Sequence, residues 1–80
     1  MARTDFDYIS EIRERQPIAR GPGVQIRKYL NQTYGRRKWR KMKGFATIQY
    51  SDGRIVDAEI HWFEAHGYGR VLEKAIKDLT

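Results

Sequence analysis

Glu59 and His61 lie two positions apart, His66 follows five later, and lysines and arginines crowd positions 36–43. A carboxylate, imidazoles and nearby cations are the groups that cleave a phosphodiester without a metal. A base takes the ribose 2′-hydroxyl proton, an acid protonates the leaving 5′-oxygen, and cations hold the phosphate. In that scheme Glu59 or His61 is the candidate base and His66 the candidate acid. Lys43, Arg40 and Arg70 form the clamp, and RNA is the substrate because the mechanism needs the 2′-hydroxyl. The matching activity is a metal-independent ribonuclease of small toxin type. The competing reading of Glu59, His61 and Lys43 is cross-strand charge pairing on a wet sheet face, worth a few tenths of a kcal/mol per pair.

The same surface binds with fewer demands. Arg36, Arg37, Lys38, Arg40, Lys41 and Lys43 fall within eight positions, interrupted by Trp39 and Met42. Sixteen Lys and Arg against ten Asp and Glu give a formal charge of +6, which favours anionic partners. Basic residues with aromatics among them suit phosphate contact plus base stacking, with Trp39, Phe45 or Phe63 as the platform. The preferred function is therefore a small basic nucleic-acid-binding module, with RNA or single-stranded nucleic acid as the partner, and catalysis is the alternative. A third class is a protein–protein interaction module or homodimer docking through the hairpin edge or aromatic face. The plainest reading of the basic block is a charged strand end that keeps a sheet edge from aggregating. His61, His66 and Glu64 are metal-ligand types, but their spacing crosses from strand into loop and matches no zinc pattern, so neither metal nor cofactor is expected.

What must position these residues is the alternation from Met42 to Trp62, which reads as one hairpin. Ser51-Asp52-Gly53 suits a type I turn followed by a left-handed residue. Pairing Tyr50 with Arg54 sets Ile48 against Val56, Ala46 against Ala58, Gly44 against Ile60 and Met42 against Trp62. The other face then pairs Lys41 with Phe63, Lys43 with His61, Phe45 with Glu59 and Thr47 with Asp57. A two-residue Asp-Gly loop would shift the register by one and set Ile48 against Asp57 and Ala46 against Glu59, so the hydrophobic pattern selects the longer turn.

Before the hairpin, Ile26, Tyr29, Leu30, Thr33 and Tyr34 follow the spacing of an amphipathic helix over about 24–34, with Gly35 at its C-cap. Arg27, Lys28 and Gln32 face away from that stripe, next to the basic block. Phe6, Ile9 and Ile12 supply a thinner stripe over Asp5 to Arg15, capped by Thr4, so residues 1–20 are a short helical or flexible lead. Ile18-Ala-Arg-Gly-Pro-Gly reads as a linker. After the hairpin, Glu64 to Arg70 is a connection in which two glycines bracket Tyr68. Val71, Leu72, Ala75, Ile76 and Leu79 fit one side of a helix over about 70–79 better than strand alternation, with a third strand as the alternative. The expected fold is α+β: the helix packed on an antiparallel hairpin or three-stranded meander (about 39–50 and 54–63) in one domain spanning 1–80.

Ala58-Glu-Ile-His-Trp-Phe-Glu-Ala-His-Gly-Tyr-Gly-Arg70 resembles a segment of a group of small bacterial proteins to which no function is attached, and in that pattern the C-terminal end reads as a strand. At the level of architecture alone, helices leading into an antiparallel sheet on a small basic chain resemble barnase-like ribonucleases. The absence of cysteine excludes disulfide staples and thiolate metal sites and fits a reducing compartment. No run approaches the roughly 20 apolar residues of a membrane span, and the polar start lacks a signal peptide's apolar stretch. A cytoplasmic protein with no membrane contact is expected.

Overall fold

A computed structural model describes residues 2–80; residue 1, the first of the expected lead, lies outside the described residues. The chain runs β1 (Phe6–Tyr8), β2 (Arg13–Arg20), a 3-10 turn (Gly21–Gly23), α1 (Arg27–Tyr34), β3 (Arg40–Tyr50), β4 (Ile55–Ala65) and β5 (Gly69–Asp78). The strands form one antiparallel sheet in the order β1-β3-β4-β5, with β2 alongside β1 on the same edge of β3. The sheet curls into a half-barrel. Its two edges are strapped together at the N-terminus, where Arg3 N–H donates to the Ala75 carbonyl at 2.9 Å and Ala75 N–H donates back at 2.8 Å.

The β3–β4 register is the one the hydrophobic pattern selects, from Met42 opposite Trp62 to Ile48 opposite Val56. Even-numbered residues of both strands fill the inside of the curl. Met42, Ala46, Ile48, Tyr50, Val56, Ala58, Ile60 and Trp62 are joined there by Ile12 and Ala75, with Phe6 and Tyr8 packed against them. A second, smaller cluster lies at one end of the opposite face, where Leu30 and Val24 meet Trp39, Phe63 and Ala65.

The α+β expectation is overturned: the architecture is mostly antiparallel β with one short helix. Of the stripe expected to pack over 24–34, Leu30 is the buried residue within α1, while Ile26 is 37% and Tyr29 51% exposed. The helical or flexible lead is instead β1 and β2. Phe6 and Tyr8 alternate inward and Ile12 is buried, but Ile9 is 55% exposed, so the three-residue spacing of Phe6, Ile9 and Ile12 was a strand pattern interrupted by a bend. Pro17 sits in β2, which has β3 as its strand partner, so the missing N–H interrupts no second ladder. The C-terminal helix is β5. Two register shifts against β4 and a positive φ of 54° at Leu72 break its alternation, and these irregularities mimic a helical spacing.

Candidate nucleic-acid interface

The outward face of the hairpin carries the titratable row. His61 stands between Lys43 of β3 and Lys74 of β5, and Glu59 stands between Phe45 and Lys77. His61 Nε2 lies 2.6 Å from Glu59 Oε2, with the two side chains 18% and 24% exposed. Thr47 donates its hydroxyl to Asp57 on the same face. His61 borders a cavity of about 230 Å³ that also touches Lys41, Phe63, Leu72 and Lys74. Glu59 and His61 are already paired with each other here, and Lys43, Lys74 and Lys77 stand opposite them on the neighbouring strands.

A larger and more uniform site lies at the end of the sheet where β2, α1 and β3 meet. Leaving β2, the chain turns through Gly21–Gly23, and Gly21 N–H donates to the Trp39 carbonyl at 3.1 Å. That bond lays Arg20 beside the approach to β3. At the far end of α1, Gly35 N–H donates to the Asn31 carbonyl at 3.1 Å, and Asn31 Oδ1 accepts the Arg37 N–H at 3.4 Å. The link from helix to β3 is thereby folded back over the turn. The result is a cleft of about 550 Å³ lined by Arg20, Arg27, Arg37, Lys38, Arg40 and His66 around Gly21, Pro22 and Trp39. Among the described residues no carboxylate lines it. Arg27 also borders a neighbouring depression of about 490 Å³ with Lys28, Asn31, Gln32 and Arg36, which extends the basic surface along α1.

Just outside the cleft lining, Glu64 accepts from Arg40 Nη2 at 2.8 Å and from the Trp62 indole N–H at 2.7 Å. Beside it stands an aromatic cluster in which Trp39, Tyr34 and Tyr68 are mutually packed with centroids 5.6–5.9 Å apart. The Arg37 guanidinium lies over Tyr68, 4.5 Å from the ring centroid.

The structure gathers Arg37, Lys38 and Arg40 of the expected binding residues in the cleft and sets Arg36 next to it. Lys41, Lys43 and Phe45 lie on the outward face of β3. Two of the expected stacking platforms are corrected: Trp39 is fully buried and Phe63 is 8% exposed, because α1 and the preceding turn cover them. Arg70 stands apart from the clamp. It donates to Glu73 Oε1 at 2.8 Å, and that bond is the main reason its pKa is raised. It borders a different cavity with Tyr8 and Arg15. The candidate catalytic residues do not share a cavity, since His66 is at the rim of the cationic cleft and His61 faces the outward groove beside Glu59.

Arg20 and Tyr68 are the contributors that sequence reasoning missed. Arg20 was hidden in what read as a linker, although an arginine directly before Gly-Pro-Gly is where a returning chain presents a cation. Among the described residues no three His, Cys, Asp or Glu side chains gather to hold a metal ion, and no helix is long and apolar enough to cross a membrane. No protein-family model, curated protein or solved structure matches the chain.

Proposed function

We propose that this protein binds nucleic acid, RNA or another single strand, across the cationic cleft and the basic surface of α1. The observation that carries the reading is the convergence of Arg20, Arg27, Arg37, Lys38, Arg40 and His66 on one cleft with no carboxylate among the described residues of its lining. Residues from four separate parts of the chain contribute, so the positive field comes from the fold and exceeds what the 36–43 block supplies alone. Guanidinium groups hold phosphate oxygens through paired N–H donors, and neutralising a phosphate releases condensed counterions. The cysteine-free composition suits a reducing compartment, and we place this activity in the cytoplasm.

Fluorescence anisotropy with a labelled single-stranded RNA, repeated over a range of salt, tests the reading. Affinity should fall steeply with salt, with a slope of about −0.7 per phosphate contacted. An Arg37→Ala, Lys38→Ala variant should bind more weakly and with a shallower slope. Binding indifferent to salt and to these substitutions overturns the proposal.

A further inference from the structure

We infer that Tyr68 is the base-stacking residue of the interface, so that the ligand class is a strand with unpaired bases rather than a duplex; this inference rests on the nucleic-acid reading above. The placement of rings decides it. Trp39 and Phe63 are 0% and 8% exposed, too little to offer a base a ring face, and Phe45 stands opposite the Glu59 carboxylate, which repels a phosphate chain. Tyr68 is 39% exposed and packs against Arg37 and Trp39, two residues that line the cationic cleft. It projects from the turn between β4 and β5, flanked by Gly67 at φ 77° and Gly69 at φ 101°, conformations that residues with a Cβ rarely adopt. The turn is closed by Tyr68 N–H donating to the Ala65 carbonyl at 3.0 Å.

The ring is also held in advance of any ligand. Trp39 and Tyr34 pack against it at edge-to-face angles of 69° and 65°, so little rotamer freedom remains to be lost on binding. The group that lies over it is Arg37, a planar cation 4.5 Å from the ring centroid whose other neighbours form the cleft. A guanidinium on a ring marks a face that accepts flat partners, and a base can stack on the outer side of that guanidinium or take its place on the ring as Arg37 turns to a phosphate. A base paired within a helix has no face free for this. Charge in the cleft gives affinity for any nucleic acid, and Tyr68 adds preference for an unpaired strand.

The test compares three fluorescein-labelled probes: single-stranded oligouridylate, the same sugar-phosphate chain with abasic positions, and a blunt RNA duplex. The wild type should bind oligouridylate about 5- to 160-fold more tightly than the abasic chain, the range expected for one base stack. Tyr68→Ala should bind the two equally with its salt slope unchanged, and Tyr68→Phe should retain the discrimination. The abasic comparison on the wild type needs no variant, so it stands even where Tyr68→Ala folds poorly. Salt-dependent binding in which wild type treats the intact and abasic strands alike overturns this inference and leaves the nucleic-acid reading intact. Absence of salt-dependent binding to all three probes overturns both.

Discussion

Arg40 donates its Nη2–H to Glu64 at 2.8 Å, and this one carboxylate both fixes and partly neutralises a cation of the cleft. The other oxygen of Glu64 is engaged by the Trp62 indole at 2.7 Å, and Arg40 Nε is a buried donor with no hydrogen-bond partner among the described residues. Glu64→Gln keeps an acceptor for the indole while removing the negative charge. It should raise affinity for single-stranded RNA and steepen the salt slope by up to about 0.7, the contribution of one further phosphate contact. Glu64→Ala removes both acceptors and should lower stability by about 1–3 kcal/mol, the usual cost of leaving a buried donor unmet. Salt-dependent anisotropy and urea unfolding check the two variants together.

Gly44 lies in β3 at the point where the β2 register shifts between Arg13 and Gln16. A Cβ at that position would stand 2.9 Å from the Arg13 carbonyl oxygen, 2.5 Å from Ile12 Cγ2 and 3.2 Å from Trp62 Cη2. Ile12 is buried and stiff at its branched Cβ, and the Arg13 carbonyl belongs to the backbone of a paired strand, so neither gives way freely. Gly44→Ala should therefore destabilise by about 1–3 kcal/mol, as overpacking of a filled core does. A urea midpoint equal to that of the wild type would show that β2 is free to move off β3.

These two residues also show which parts of the fold were legible in the sequence. The hairpin register could be read because a one-residue slip would set Ile48 against Asp57, and no other feature had to be known. Gly44 opposite Ile60 followed from the same rule. The remaining elements depend on information that no single segment carries. Phe6, Ile9 and Ile12 have helical spacing, yet the long β3 edge needs strand partners, and satisfying its N–H and C=O groups outweighs local preference. Val71 to Leu79 misled for a different reason, because bulges add residues that shift the inward positions of β5. The cleft was half visible. Arg37, Lys38 and Arg40 are contiguous in sequence, whereas Arg20 and His66 join them through the sheet and the β4–β5 turn. Trp39 read as an exposed platform because an aromatic among cations looks the same whether it meets solvent or the underside of a helix.

Tyr8 links the β1 edge to β5 by donating its hydroxyl to Glu73 Oε1 at 2.7 Å. Burial first, and then the bond to Glu73, push its pKa well above that of a free tyrosine; Tyr50, buried and donating to Asp78, is raised for the same reasons. A group whose folded pKa is raised adds stability that is complete below its unfolded value. That contribution is lost as pH climbs from about 10 towards the folded pKa. Stability measured by urea unfolding should hold up to about pH 10 and then fall, with tyrosinate absorbance rising as the fold opens. Tyr8→Phe should be less stable at neutral pH and show a flatter alkaline limb. An alkaline limb as steep as the wild type's would assign the loss to Tyr50 alone.

Asp5 stabilises the strap that joins the two edges of the half-barrel. Arg3 donates to its carboxylate through Nη2 at 2.6 Å and Nε at 3.0 Å, and the Ser51 hydroxyl donates to the same group. The bonds from Arg3, followed by that from Ser51, hold the Asp5 pKa far below the ordinary carboxylate range. A depressed folded pKa supplies stability above the unfolded value of about 4 and surrenders it as pH falls towards the folded one. Acidification from about pH 4 downwards should therefore loosen the strap. The first amides to lose protection from hydrogen exchange should be those of Arg3 and Ala75, which bond each other across the seam. Asp5→Asn cannot ionise, so it should show weaker protection of those two amides at neutral pH and little further change on acidification. Equal acid sensitivity in the variant would mean that the seam is held by the backbone pair and the packing of Phe6 and Tyr8, with the Arg3–Asp5 bonds contributing nothing to closure.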